Sequence, residues 1–348
     1  MGIFNYYSGQ RGKKRTLDET ELQLSKRVIF GEASHANYIP DEGLVAAANV
    51  AIHLGQPLLL TGEPGCGKTG FAHHLNWALG FKDLLRFETK STTSARDVFY
   101  YYDSLGRFHD AQADVKRPSA LAYITFNALG VAILRACDGP VAKSLRELSA
   151  EDLSDLAGPR ERSMVLIDEI DKAPRDFPND LLTELEEFYF KITEIPALAN
   201  KRIEANPNLR PIVIITSNSE KSLPDAFLRR CIFYNIPFPD SQQLTAIVHA
   251  RLGDTVMATG FLECALNLFQ TIRDAVDTKR PSVAELLNWL HVLKSNHIFS
   301  QKKLEAQEVE RIIHTMPVLL KGSDRESMGA ERIVELVTKW ATDHQKGK

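Results

Sequence analysis

The chain has 348 residues, a formal net charge of -3, and 44% hydrophobic and 25% charged residues. This length and composition describe a globular protein of about two domains with a sizeable core. The acidic balance argues against nucleic acid as a partner, because phosphate-binding domains are normally basic, and no apolar run reaches the roughly 18 residues of a membrane-spanning helix.

Residues 1–30 form an N-terminal extension. Met1–Gln10 lacks the charged start and apolar core of a secretory signal. Phe4, Tyr6 and Tyr7 precede the basic residues Arg11, Lys13, Lys14 and Arg15, a solvated tail or an arm for a neighbouring subunit. From Tyr38 the pattern is regular. Leu44–Leu54 is a predicted helix, Pro57–Leu60 a strand, Thr69–Leu79 a helix and Leu84–Phe87 a second strand. Met164–Ile167, Ile212–Ile215 and Cys231–Ile236 are short apolar runs of buried-strand type. Ala120–Arg135 and Asn179–Phe188 are expected helices between them. Alternating strands and helices predict an α/β fold, a parallel sheet with helices on both faces.

After Pro237-Phe238-Pro239 the strands stop. Leu244–Leu252, Leu262–Val276, Val283–Leu293, Val309–Leu319 and Arg332–Trp340 carry helix-period apolar positions. The expected division is 31–238 for the α/β domain and 239–348 for a small all-helical lid. The cysteines, Cys66, Cys137, Cys231 and Cys264, form no C-x-x-C pair. Reduced thiols in a cytoplasmic protein are expected, and a zinc site is not.

Gly62-Glu63-Pro64-Gly65-Cys66-Gly67-Lys68-Thr69 matches G-x-x-x-x-G-K-[ST] in full. Its glycines allow turns that aim successive N–H groups at phosphate oxygens. The helix that begins at Lys68-Thr69 directs its positive dipole end at the same anion. Lys68 is expected on the β- and γ-phosphates of ATP, and Thr69 on Mg²⁺. Cys66 fills a variable position. Val165–Ile167 runs into Asp168 and Glu169. Adjacent acids at a buried strand end are costly without a cation. Asp168 suits the metal's hydration shell, and Glu169 the activation of attacking water.

Together with Leu166–Ala173 (LIDEIDKA), Ile215–Asn218 (ITSN) and Leu223–Cys231 (LPDAFLRRC), the loop makes the chain resemble an AAA+ ATPase of the MoxR branch over about residues 38–295. The resemblance implies a P-loop AAA+ core. It makes Asn218 a sensor that positions water. Arg230 by register, with Arg229 second, becomes an arginine finger for the neighbouring subunit's ATP. The family's lid arginine falls at Arg280, or at Ser282 if the register shifts. Phe99–Tyr102 and Arg107-Phe108 around Asp103–Gly106 read as an inserted hairpin, and Phe188–Ile192 with Lys201–Ile203 as another. Tyr100, Tyr101 and Tyr102 are then either contact residues or packed within the chain.

The implied protein is a ring-forming homo-oligomer, a hexamer, that hydrolyses ATP to remodel or activate a partner. That partner is an unidentified protein client or a separate von Willebrand A-type chain. Tyr6-Tyr7-Ser8-Gly9 and Leu223–Cys231 also resemble MoxR-type ATPases of bacterial conflict and antiphage systems. The rival readings are a nucleotide-gated assembly module with slow turnover, a nucleic-acid-linked motor and a metal chelatase motor.

Overall fold

The computed structural model describes residues 35–113, 120–138, 145, 159–218, 223–253, 261–276, 279–295, 306–321 and 323–345. The expected N-terminal extension lies outside the described residues. The chain forms two compact units. One comprises Pro40–Glu63 and Lys68–Pro237; the other is built on Phe238–Lys348 with the loop residues Pro64–Gly67.

The first unit is organised by a parallel sheet. Its strands are β1 (Leu58–Thr61), β2 (Leu84–Glu88), β5 (Met164–Asp168), β8 (Ile212–Thr216) and β9 (Ile232–Asn235), in the order β2-β5-β8-β1-β9. All four pairings are parallel. Every residue of β1 and β5 is buried, as expected of strands covered on both faces. That is why these runs are apolar throughout rather than alternating. Helix α1 (Glu42–Leu54) starts at Asp41, whose carboxylate accepts from Leu44 N at 2.9 Å, and ends at Gly55 in the left-handed region. Helix α2 (Lys68–Ala78) follows β1. The core joins β5 and β8 to α4 (Ala128–Ala136), whose nine residues are all buried.

Three expectations are corrected in this unit. The stretch 120–135 is not one helix. Ala120–Tyr123 is a 3₁₀ turn, Ile124–Phe126 is strand β4, and only Ala128–Ala136 is α-helical. Nor do Tyr102 and Arg107 flank a hairpin turn. Strand β3 (Tyr100–Tyr102) pairs antiparallel with β4, register Tyr101↔Thr125. Between them, Ser104–Gln112 forms helix α3, N-capped by Asp103, which accepts from Gly106 N at 2.8 Å. An Asp that opens a turn is equally suited to cap a helix. Of the three tyrosines, Tyr100 is buried, Tyr102 half-buried and Tyr101 exposed. The Tyr100 hydroxyl donates to Glu194 at 2.7 Å. Burial and this hydrogen bond push its pKa up to about 12. The second insert does form a hairpin, β6 (Tyr189–Phe190) against β7 (Ile203–Glu204). The expected helix 179–188 is divided into α5 (Phe177–Asp180) and α6 (Leu182–Glu187), and α7 (Asp225–Leu228) precedes β9.

The second unit contains α8 (Ser241–Leu252), α9 (Phe261–Ala275), α10 (Val283–Ser295), α11 (Ala306–Thr315) and α12 (Ser323–Gln345). Asp240 and Gln243 form a capping box at the start of α8. Leu268, Phe269, Leu286, Trp289, Leu290 and Ile312 share its core. The Trp289 indole N–H donates to Thr315 Oγ1 at 2.7 Å, so the ring is buried without leaving a polar atom unmet. No described helix is long and apolar enough to cross a membrane.

Candidate functional site

Strand β1 ends at Thr61, and the chain turns through Gly62 (φ 138°), Gly65 (φ 76°) and Gly67 (φ 104°). Residues with a Cβ rarely adopt these values, so glycine at these positions is a conformational requirement. Lys68 opens α2 and is buried. Its ammonium donates to Gly62 O at 2.8 Å and Glu63 O at 3.1 Å, bridging the two ends of the loop.

The next residue connects the loop to the sheet. Thr69 donates its hydroxyl to Asp168 Oδ1 at 3.1 Å. Asp168 ends β5 and is 3% exposed. Its register opposite Glu88 of β2 places it at the C-terminal edge of the sheet. Ligands of parallel α/β sheets bind at that edge. Thr216, fully buried at the end of β8, donates to Asp168 Oδ1 at 2.6 Å. Arg86 donates to Oδ2 from Nε at 3.0 Å and Nη2 at 2.6 Å. A carboxylate has about four acceptor positions, and these donors fill them.

Glu169 has left-handed backbone, φ 56° and ψ 50°, rare and strained for a residue with a side chain. Two hydrogen bonds hold it there. Its N–H donates to Thr216 Oγ1 at 2.9 Å, and its carbonyl accepts from the Thr89 hydroxyl. One buried hydroxyl, that of Thr216, thereby fixes both acids. The Glu169 carboxylate pairs with Lys172, and that hydrogen bond and charge raise the lysine's pKa. Asn218 N donates to Asp171 Oδ1 at 3.1 Å, tying the end of β8 to the turn after Glu169.

Lys68, Thr69, Asp168, Glu169 and Asn218 therefore meet at one end of the sheet. Arg229 and Arg230 follow α7 and are exposed. Arg230 donates from Nε to Glu186 Oε2 and from Nη1 to Ala226 O, both at 3.2 Å. In the second unit, Arg280 is exposed ahead of α10. Ser282 lies beside the loop residue Gly65, where a Cβ would stand 2.6 Å from the serine Cβ and Oγ. All four cysteines are buried thiols that form no disulfide. Burial pushes the Cys231 thiol up to about 12 and the Cys264 thiol, aided by Glu263, to about 11.

The motifs of the sequence assign no role to Arg86, Thr89, Thr216 or Lys172. Thr216 sits within the ITSN motif and was open to notice. Arg86 carries no local signal, because its partner lies 82 residues away. The donor set suits a hard cation that arrives with phosphates: one carboxylate and one hydroxyl, both oxygen. The glycine turns and the buried ammonium suit the phosphates themselves.

Residues 57–231 match the family model described as AAA domain (dynein-related subfamily). No curated protein matches the chain. Among solved structures, an alanine-to-serine mutant of RuvB from Thermotoga maritima is 16% identical, covering 86% of this chain and 78% of that one, with a TM-score of 0.46. A lysine-to-arginine RuvB mutant from the same organism is 15% identical, covering 85% and 75%, with a TM-score of 0.44. The glycine loop, the acid-ended strand and strands β1, β2, β5 and β8 all lie within the matched segment, and the chain belongs to the AAA domain family, dynein-related subfamily.

Proposed function

We propose that this chain is an ATPase that binds ATP with Mg²⁺ at Gly62–Thr69 and hydrolyses it. AAA+ proteins are ATPases that use ATP with Mg²⁺ and commonly assemble into rings. The observation that carries the reading is the convergence of Lys68, Thr69 and Asp168 at the end of β1 and β5. In this reading Glu63, Pro64 and Cys66 contribute loop backbone between the glycines. Lys68 exchanges its carbonyl partners for phosphate oxygens. Thr69 and Asp168 hold the Mg²⁺, which offsets phosphate charge when bound.

Glu169 is the general base for the attacking water. Its pairing with Lys172 is half-exposed, at side-chain exposures of 30% and 53%. Exposed pairs of this kind are weak, so the carboxylate can turn to water at little cost. Asn218 orients that water. Arg230, or Arg229 beside it, completes the site of a neighbouring copy in a hexameric ring. Its exposed pairing with Glu186 is equally weak. Arg280 is the lid's candidate phosphate contact, and the placement of Ser282 beside Gly65 favours the shifted register as its alternative.

The LIDEIDKA and LPDAFLRRC motifs favour a MoxR-like role: a cytoplasmic machine that remodels a protein client or a von Willebrand A-type partner, in a bacterial conflict or antiphage setting. The proposed boundaries remain 31–238 for the nucleotide-binding domain and 239–348 for the lid. The alternative of a slow nucleotide-gated switch gives Glu169 no task. Steady-state phosphate release separates the two. Glu169→Gln should retain ATP binding and lose at least about 100-fold in turnover, the usual scale of general-base catalysis. Parental turnover in that variant removes Glu169 from its role.

A further inference from the structure

Asp168 is buried, yet its acceptor positions are filled by Thr69, Thr216 and Arg86. Only Arg86 among these donors is charged. A buried carboxylate is costly without a cation, and the Arg86 guanidinium supplies one from β2. A hydrated magnesium ion also needs lone pairs of this carboxylate. Thr69 can release its share by turning its hydroxyl to the metal. Thr216 is held between Asp168 and the Glu169 N–H. Arg86 is the donor left to yield. It also has a second carboxylate within reach: Glu88, on the same face of β2, lies 3.9 Å from Nη2 and is exposed.

We propose that Arg86 is a built-in counter-ion of Asp168 that competes with magnesium and moves toward Glu88 when magnesium·ATP is held. This rests on the nucleotide reading above. Arg86 is a positioning residue here. It holds the Asp168 carboxylate in place by its paired hydrogen bonds, and it sets how strongly ATP binding depends on magnesium. Arginine suits the task because its Nε and Nη2 donate together to one oxygen and its charge is permanent.

The test is the affinity of the full chain for a fluorescent ATP analogue, measured in magnesium and in EDTA. The gain conferred by magnesium should be larger in Arg86→Gln than in the parent by on the order of tenfold, since charge-assisted hydrogen bonds no longer have to break. Arg86→Lys, which keeps a cation, should fall nearer the parent. An equal gain in the parent and Arg86→Gln overturns the proposal. A second readout needs no nucleotide: magnesium alone should raise the unfolding temperature of Arg86→Gln more than that of the parent, or restore its fold if it is lost. Equal shifts, or no restoration, overturn the proposal. ATP binding absent from the parent in both solutions strikes at the nucleotide reading instead, and the magnesium-only readout then decides the role of Arg86 alone.

Discussion

Replacing Thr216 by valine keeps the shape of the side chain and removes one hydroxyl. That hydroxyl donates to the Asp168 carboxylate at 2.6 Å and accepts from Glu169 N–H at 2.9 Å, with no exposure to solvent. The first loss is a hydrogen bond to a charged group, worth about 1.5–3 kcal/mol. The second leaves a part-buried N–H unmet, at about 1 kcal/mol or more. Partial relaxation keeps the sum below the simple total, so Thr216→Val should cost about 2–4 kcal/mol. Thr216→Ser retains the hydroxyl and should cost about 0.8 kcal/mol for the lost methyl. Urea unfolding followed by far-ultraviolet circular dichroism measures both. Glu169 also depends on this bond to stay in its left-handed conformation. Thr216→Val should therefore reduce ATP turnover more than ATP affinity. A valine variant within about 0.5 kcal/mol of the parent, the scatter of an ordinary surface change, would refute the idea that Thr216 ties the two acids together.

Two further outcomes are expected. Gly130 sits in α4, where an added Cβ would stand 2.0 Å from Phe99 O and 2.8 Å from its carbonyl carbon. These are backbone atoms that cannot rotate away. Gly130→Ala gains about 1 kcal/mol in helix propensity but loses more to overpacking, for a net destabilisation of about 1–3 kcal/mol; a more stable variant in urea would contradict the contact. Arg230→Ala should reduce turnover by a factor on the order of 10³, and mixing it with a Lys68→Ala chain should restore part of that activity, because each variant supplies what the other lacks. Phosphate release that never rises above the sum of the two separate variants argues against a site shared between copies.

Three of the five sheet strands, β1, β5 and β8, were legible because they are buried on both faces, and burial of that kind requires unbroken apolar runs. The phosphate loop was legible because its glycine spacing is dictated locally by backbone angles. The stretch 120–135 was not, because its apolar residues satisfy helix and strand periods alike. What makes Ile124–Phe126 a strand is pairing with Tyr100–Tyr102, a contact between distant parts of the chain. Asp103 misled for a different reason: its side chain makes the same short-range bond in a turn and at a helix start. In the site, Lys68, Thr69 and Asp168 follow from motif spacing, whereas Arg86 follows only from the sheet order that sets β2 beside β5. Glu169's left-handed backbone has no sequence signature, since glycine or asparagine would be the expected residue there.

In the proposed function, the loop Gly62–Thr69 cages a triphosphate, with Lys68 as its cation. Isothermal titration of ATP in magnesium into the parent chain and into Lys68→Ala tests this most directly. Saturable binding by the parent, weakened at least about 100-fold in Lys68→Ala while the variant's circular dichroism is unchanged, is the expected result. Equal affinity in the two chains, or heat in neither, would contradict it.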